Sequence, residues 1–443
     1  MKTVIKDGLV LLKDGDTYKI DKADILINDT EIEAVVPQIN NKILCTADEV
    51  VDAFGKLVMP GLINAHTHAY MSLFRNYADD LDFFDWLSKV QAVEEHMTGE
   101  DCYWGTMLSA AEMIRSGTTC FVDMNISSAK PGATQGPAAS CAGAAADSGI
   151  RAVISRGLSG TADSEESVRK FGEANAEMDA FKDNDRITFM YGPHAPYSCM
   201  ADYLKKCTAA AKERGIGQTI HLSESIREIE DMQALHGVTP IRYVADLGVF
   251  DVPVIAAHCV NATDDDIRIM KEKNVSVAIN PKSNMKLGNG FAPVKKFLKA
   301  GINICIGTDG CGSNNCQNMF QEMNTAALVY KGAEKKARCF DAVQVLKAAT
   351  EGGAKAIGME GRLGIIAPGA LADIILIDLF EPQFFPSNNI ISSLVYSAKG
   401  SEVDTVFING RMVMEDKKLL TINTAKVYTE CEHIADRLGM MTK

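Results

Sequence analysis

The sequence predicts an α/β protein: a (β/α)8 barrel carrying a small β-sandwich domain built from both chain termini. Three observations predict it. The long middle alternates apolar strand candidates with amphipathic helical stretches, the pattern of a parallel sheet. Both ends are β-rich and broken by turn signals. Residue types suited to catalysis recur at the C-terminal ends of the strand candidates.

Taken in order, residues 1–55 hold short β-type runs, TVIKDGLVLLKDGD and DILINDTEIEAVVP, that predict hairpins. Strand candidates follow at 57–66, 118–124, 149–156, 187–194, 216–222, 252–259, 275–281 and 301–309. Between them lie helical patterns such as MLSAAEMIRSG (107–117) and DYLKKCTAAAKERG (202–215), each closed by Gly after basic residues. ALADIILID (370–378) and VDTVFINGRMVM (403–414) predict returning strands, the second with a turn at Asn409-Gly410. The expected division is 1–55 and 363–422 for the two parts of the β-sandwich, 56–362 for the barrel, and 423–443 for a helical tail.

Composition removes several classes of function. Of 443 residues, 47% are hydrophobic and 23% charged, which suits a globular chain with a large core. A net charge of −13 without a Lys/Arg cluster excludes a nucleic-acid polymer as partner. There is no GxxxxGK[ST] loop for a polyphosphate. Twelve cysteines form no CxxC pair and several sit in apolar runs, so the expected compartment is the reducing cytoplasm. No apolar run is long enough to span a bilayer, so no membrane is expected. The expected partners are a small-molecule substrate and water, with assembly of identical copies left open.

The strand ends carry the chemistry. The first candidate strand runs into GLINAHTHA (61–69), where His66 and His68, two residues apart, point the same way. The third ends in Arg156, the fourth in GPHAPYS with His194, the fifth in TIHLSES with His221 and Glu224. The sixth ends in IAAHC with His258 and the eighth in IGTDG with Asp309. Each has a bland reading as a turn or core residue, but five of the eight histidines share this one end of the sheet. His96, His236 and His433 read as structural or solvated. His66, His68, His221 and Asp309 together supply the nitrogen and oxygen ligands that a catalytic zinc wants. For the first and eighth strands to share one ion the sheet must close, which favours a TIM-type barrel over an open sheet. No strand offers a lysine to bridge a second ion, so one divalent metal per chain is expected, zinc first, with Fe2+ and Mn2+ as alternatives.

With these residues in place the chain resembles the amidohydrolase superfamily, and within it the branch of 5′-methylthioadenosine/S-adenosylhomocysteine deaminases and chlorohydrolase-like enzymes. The resemblance runs through PGLINAHTHAYMSLFRNYADDLDFFDWL (60–87), EMIRSGTTCFVDM (112–124), GPHAPYS (192–198), HLSE (221–224), AAHC (256–259), NPKSNMKLGNGFAPV (280–294), GTDGCGSNN (307–315) and LGIIAPGALADIILID (363–378). It implies zinc on His66, His68, His221 and Asp309, with Glu224 as proton shuttle and His258 orienting the water on the metal. It further implies that Glu94, eight residues beyond Trp86, takes ribose hydroxyls, and that Trp86, His194 and Arg156 face the substrate. Glu224 and Asp309 would act on the substrate as well. The implied reaction is hydrolytic deamination of an adenine nucleoside: 5′-methylthioadenosine, adenosine, 5′-deoxyadenosine or S-adenosylhomocysteine. A zinc-acidified water would attack the ring carbon, and Glu224 would protonate the ring nitrogen and the leaving amine. The HxE…PCxxC pattern of the other zinc deaminases is absent.

The chain departs from the family pattern at Cys311, Gly312, Cys316, Gln317 and Asn318, and at Ala92 before the ribose-binding acid. Two alternatives therefore stand: the same chemistry on a guanine-, pterin- or triazine-like ring, and a scaffold without catalysis, which would require ligand loss that is not seen. The loop GLSGTADSEES (157–167) carries Asp163, Glu165 and Glu166 with no arginine before Arg169. It is expected to repel a carboxylate and so favour nucleosides with neutral 5′-substituents.

Overall fold

A computed structural model describes residues 1–127 and 136–441. Its strands, in chain order, are β1 Lys2–Asp14, β2 Thr17–Asn28, β3 Glu31–Val36, β4 Glu49–Asp52 and β5 Lys56–Pro60, then β6 Leu62–Thr67, β7 Thr118–Asn125, β8 Arg151–Leu158, β9 Ile187–Phe189 and β10 Gly192–Pro193. They continue with β11 Gln218–Leu222, β12 Val254–His258, β13 Ser276–Ile279 and β14 Asn303–Ile306, then β15 Ile374–Asp378, β16 Val403–Ile408, β17 Arg411–Glu415 and β18 Lys418–Leu419.

The two β-rich ends share one nine-stranded sheet in the order β18-β17-β16-β15-β5-β1-β2-β3, with β4 beside β1. The β1–β2 and β2–β3 pairs are antiparallel hairpins, as the alternating runs predict. Asn409 and Gly410 turn β16 into β17 with φ of 53° and 73°, the two positive values that a tight hairpin turn needs. The seam between the ends is β5 against β15, antiparallel from Lys56–Asp378 to Pro60–Ile374. Val10, Ile25, Ile27, Val58, Ile374, Leu376 and Phe407 pack together on this sheet.

The strand expected over 57–66 is therefore two strands. The chain leaves the terminal sheet at Pro60 rather than at residue 55, and Gly61 is the joint. A Cβ on Gly61 would lie 2.1 Å from Thr119 Oγ1, so no larger residue fits where the chain crosses from one sheet to the next. A continuous apolar run hid the crossing because both strands are buried.

The middle of the chain forms two parallel sheets, β10-β8-β7-β6 with β9 on β8, and β11-β12-β13-β14. Every residue of β6, β7, β8, β11, β12 and β13 is buried, as expected of parallel strands covered on both faces. The sheets meet at both edges. Thr219 N donates to Tyr191 O at 2.9 Å beside the Tyr191–Gln218 bridge, and Asp309 N donates to His66 O at 3.0 Å. Ala65, Val122, Val153, Met190, Ile255, Ala278 and Cys305 form one buried cluster drawn from both sheets. The run expected over 187–194 is broken into β9 and β10 around Met190-Tyr191.

Helices end where the sequence marks them. Ala201–Arg214 stops at Gly215 with φ of 66°, and Gly99–Arg115 stops just before Gly117. The tail helix spans Thr424–Arg437, and the last two residues expected in it lie outside the described residues. Arg151, at the start of β8, grips Asp373 bidentately at 2.9 and 3.0 Å, a buried pair that ties the parallel sheets to the terminal one. Among the described residues no helix is long and apolar enough to cross a membrane.

Candidate active site

The C-terminal ends of the parallel strands bring five predicted side chains into one buried space. His66, His221, His258 and Asp309 each offer a ligand atom, and these atoms lie within 4.8 Å of one another. His68 stands beside this group rather than within it. Its Nε2 is 3.2 Å from His221 Nε2 and 3.3 Å from Asp309 Oδ1. The i, i+2 spacing works as predicted, with the His66 and His68 ring centroids 5.2 Å apart.

Proton placement shows what this cluster can hold. A carbonyl oxygen only accepts, so His68 Nδ1 donates to Met124 O at 2.6 Å and His221 Nδ1 donates to His194 O at 2.9 Å. His258 Nδ1 likewise donates to Asn284 Oδ1 at 2.8 Å. His221 and His258 therefore turn Nε2 lone pairs inward, and His68 turns its Nε2 toward Asp309. Among the described residues, His258 Nε2 and both ring nitrogens of His66 are buried without a hydrogen-bond partner. Burial pushes His66 down to about 4 and lowers His221 and His258 as well, so these rings stay neutral near pH 7. Converging neutral imidazoles with a carboxylate among them are the donor set of a divalent cation, each ring oriented through its outer nitrogen.

Asp309 supplies that carboxylate. Burial would raise its pKa, but the His66 and His68 rings beside it outweigh burial and hold it well below the usual carboxylate range. Its Oδ2 accepts from Ser283 Oγ at 2.6 Å and Ser313 Oγ at 2.9 Å, which leaves Oδ1 facing the histidines. The backbone here is strained. Asp309 and His258 have φ of 62° and 72°, in the left-handed region that side chains beyond glycine seldom occupy. Gly307 is required by packing: a Cβ there would stand 2.4 Å from Asn280 Oδ1 and 2.6 Å from His66 O.

Glu224 lies across from Asp309. Burial first, and then the Asp309 charge, raise its pKa well above the glutamate value, which favours the protonated carboxyl. Asn289 Nδ2 donates to its Oε1 at 3.0 Å. Its backbone is held by Glu228, whose carboxylate accepts from Ser223 N at 2.9 Å and Glu224 N at 2.7 Å.

The predicted substrate residues take differing positions. Glu94 is buried, accepts from the Tyr70 hydroxyl, and is pushed up to about 7 by burial. His194 backs onto His221 at 4.9 Å between ring centroids and holds Ser198 Oγ at 2.7 Å through Nδ1. Trp86 spends its indole N–H on Gly312 O at 2.9 Å, so it braces the loop after Asp309 and has only its ring to offer a ligand. Arg156 is buried and uses Nη1 on Asn125 O and Ser127 O; its Nε lies 3.9 Å from Glu173 Oε2, and among the described residues Nε and Nη2 have no hydrogen-bond partner.

The acidic loop differs from its sequence expectation. Asp163, Glu165 and Glu166 are exposed, and Glu166 pairs with Lys170 at 2.7 Å. The Lys170 side chain is 7% exposed, and its charge acts on both Glu94 and His194. The helix Glu165–Ala180 turns Glu165 and Glu166 outward and Lys170 inward together with Glu177, a sorting that a count of arginines misses.

Sequence reasoning also missed the residues that hold the predicted ones: Tyr70, Glu228, Ser283, Asn284, Asn289 and Ser313. Three of these lie in NPKSNMKLGNG, which connects β13 to the helix Val294–Ala300. The signal was a polar run directly after a buried strand.

A buried cluster of inward lone pairs and one carboxylate, at the C-terminal edge of parallel strands, defines a metal-binding α/β protein with a barrel-type fold. The chain belongs to the amidohydrolase family, whose sequence pattern matches residues 57–413. It is 43% identical over 437 residues to a 5-methylthioadenosine/S-adenosylhomocysteine deaminase of Caldanaerobacter subterraneus subsp. tengcongensis, covering 98% of this chain and 95% of that one. A 5′-deoxyadenosine deaminase of Methanosarcina mazei is 41% identical over 438 residues, covering 98% of each chain. Among solved structures, an adenosine deaminase from Xanthomonas campestris with bound zinc matches with a TM-score of 0.91 at 30% identity, over 99% of each chain.

Proposed function

We propose that this chain is a metal-dependent aminohydrolase that deaminates an adenine nucleoside to the inosine analogue and ammonia, acting in the cytoplasm. The observation that carries the reading is the buried Glu224 carboxyl, with Oε1 3.7 Å from His258 Nδ1, set beside a cation site of imidazoles and Asp309. The named deaminases at 41–43% identity over nearly the whole chain support the substrate class. We also read the two parallel sheets as one closed (β/α)8 barrel and the terminal sheet as a β-sandwich; the hydrogen bonds at both edges support closure.

His66, His68, His221 and Asp309 would hold one divalent ion, zinc first, with His258 beside it. Such an ion acidifies a water at neutral pH, which is the nucleophile that this reaction needs. The residues of the chain do the remaining work. Glu224 gives the proton on its carboxyl to the ring nitrogen beside the attacked carbon, then carries a second proton to the leaving amine. Asn289 occupies Oε1, so the proton rides on Oε2. His258, fixed by Asn284, aims Nε2 at the water. Asp309 Oδ1 accepts the proton of the water while Ser283 and Ser313 hold Oδ2. Glu94, with one oxygen taken by Tyr70, offers the other to the ribose hydroxyls.

Arg156, with Glu173 3.9 Å from its Nε, and Lys170, paired with Glu166, are buried cations on this side of the site, and we infer that a 5′-substituent bearing a carboxylate is accepted alongside neutral ones. The test is ammonia release from adenosine, 5′-deoxyadenosine, 5′-methylthioadenosine, S-adenosylhomocysteine, guanine and a pterin at one salt concentration. Turnover of the adenine nucleosides is expected. Turnover confined to guanine or the pterin would overturn the reading.

A further inference from the structure

All twelve cysteines are free, and one of them has an amine pressed against it. Lys282 Nζ lies 2.8 Å from Cys316 Sγ. That would be ordinary for N–H···O, but sulfur is the larger atom and its hydrogen bonds are longer. Charge pairing does not account for the approach. Burial raises the Cys316 thiol, against the opposing pull of Lys282, and Cys316 and Glu322 outweigh burial to raise Lys282, so the resting pair is a neutral thiol and an ammonium. The two atoms are as close as a nitrogen and a sulfur joined through a single bent oxygen.

The surroundings confine the pair. Gln321 Oε1 accepts from Lys282 Nζ at 3.1 Å and lies 3.6 Å from Cys316 Sγ, and Asn314 Oδ1 is 3.3 Å from the same sulfur. Glu322, buried and pushed up to about 7, accepts from Lys282 N at 3.4 Å and Asn314 Nδ2 at 2.7 Å. Lys282 is only half-buried, so the pair is open on one side to a small oxidant. Eight of the other cysteines are fully buried, and among the described residues none has a lysine nitrogen at hydrogen-bond distance.

The pair joins two segments that grip the site. Lys282 belongs to the helix Pro281–Lys286, which supplies Ser283 to Asp309 and Asn284 to His258. Cys316 closes the segment that supplies Ser313 to Asp309 from the other side.

We propose that Lys282 and Cys316 are a covalent modification site, joined by hydrogen peroxide into an N–O–S bridge. Lys282 reacts as the free amine after its extra proton passes to water. One N–H and one S–H bond break together with two peroxide O–O bonds, and one N–O and one O–S bond form. The balance is RNH2 + R′SH + 2 H2O2 → RNH–O–SR′ + 3 H2O; nitrogen and sulfur are oxidised and peroxide oxygen is reduced. A dithiol in excess reverses it, returning amine, thiol and water. The bridge fastens the two segments on either side of Asp309.

The test is mass spectrometry of the full chain after graded peroxide treatment. Expected is a gain of about 14 Da, one oxygen less two hydrogens, distinct from the ~16 and ~32 Da of sulfenic and sulfinic acid. It should localise to a linked pair of peptides carrying Lys282 and Cys316, and dithiothreitol should return the original mass. Cys316→Ser and Lys282→Arg should each abolish the linked pair. Oxidation of Cys316 to sulfinic acid with Lys282 left free overturns the proposal. So does the absence of a linked pair at peroxide levels that oxidise other cysteines. The wild-type measurement decides the matter even if either variant folds poorly.

Discussion

His68 and His221 face each other Nε2 to Nε2 at 3.2 Å, and Asp309 Oδ1 stands 3.3 Å from the same His68 nitrogen. Their protons are committed on the far side, to the carbonyls of Met124 and His194. Burial would lower the His68 pKa, but hydrogen bonding to Asp309 and its charge outweigh burial and raise it, so positive charge, a proton or a cation, is favoured between these rings and the carboxylate. His66→Ala, which deletes one donor, should yield protein with far less than one metal ion per chain by elemental analysis, against about one in the wild type.

Ser283 holds the outer oxygen of Asp309 at 2.6 Å. Ser283→Ala leaves every ligand in place but frees the carboxylate to rotate. Metal affinity should fall by about 10–100-fold, the usual cost of losing a partner that orients a ligand. Competition with a chelator measures it, and an unchanged affinity would show that Ser313 alone suffices.

Glu224→Gln keeps the shape and the Asn289 contact but cannot give up a proton. We expect kcat to fall by about 10²–10⁴-fold with metal content intact. In the wild type burial and the Asp309 charge raise the Glu224 pKa, so activity should be lost on the alkaline side as its proton leaves. Steady-state ammonia release across pH reads both effects.

Glu94 gives separate predictions for binding and for stability. Glu94→Ala should raise KM for nucleosides about 10-fold or more, since a hydrogen bond to a charged group contributes roughly 1.5–3 kcal/mol. It should matter little for free adenine.

Burial pushes Glu94 up to about 7. Below an ordinary glutamate pKa of ~4.3, folded and unfolded chains are both protonated there and the group has no effect. Above that value the folded chain keeps a proton that the unfolded chain has released, so stability falls as pH rises, and the penalty is complete above about 7. Glu94→Gln removes it while leaving an acceptor for Tyr70. The metal-free variant should match the wild type near pH 4 and exceed it by up to ~3 kcal/mol near pH 8 in denaturant titrations.

Arg151 and Asp373 form a buried pair with both members bidentate. Arg151→Ala should cost about 3–5 kcal/mol, because Asp373 is left charged and unpaired. Thermal unfolding followed by circular dichroism checks this.

Much of the site was legible in the sequence because its chemistry sits at one repeated place. Period-two spacing in His66 and His68, and strands ending in His221, His258 and Asp309, placed five groups together without coordinates. What failed to show was orientation within connecting segments. Glu166 and Lys170 are one helical turn apart, and nothing in their order reveals that the acid is exposed and the amine buried. Trp86 reads as a ligand-facing aromatic, yet its N–H belongs to Gly312. The joint at Gly61 was hidden for another reason: strands buried on both faces lose the alternation that would have separated β5 from β6.

The pairing of β5 with β15 also sets a timetable for the newborn chain. One strand emerges early and its neighbour roughly 300 residues later, a delay of ~15–60 s at ribosomal rates of about 5–20 residues per second. Throughout that interval the edge of β5 offers unpaired amides and carbonyls to any passing strand. Truncated or stalled products ending before residue 374 should therefore aggregate or occupy a chaperone, and the nine-stranded sheet is completed only at the close of synthesis.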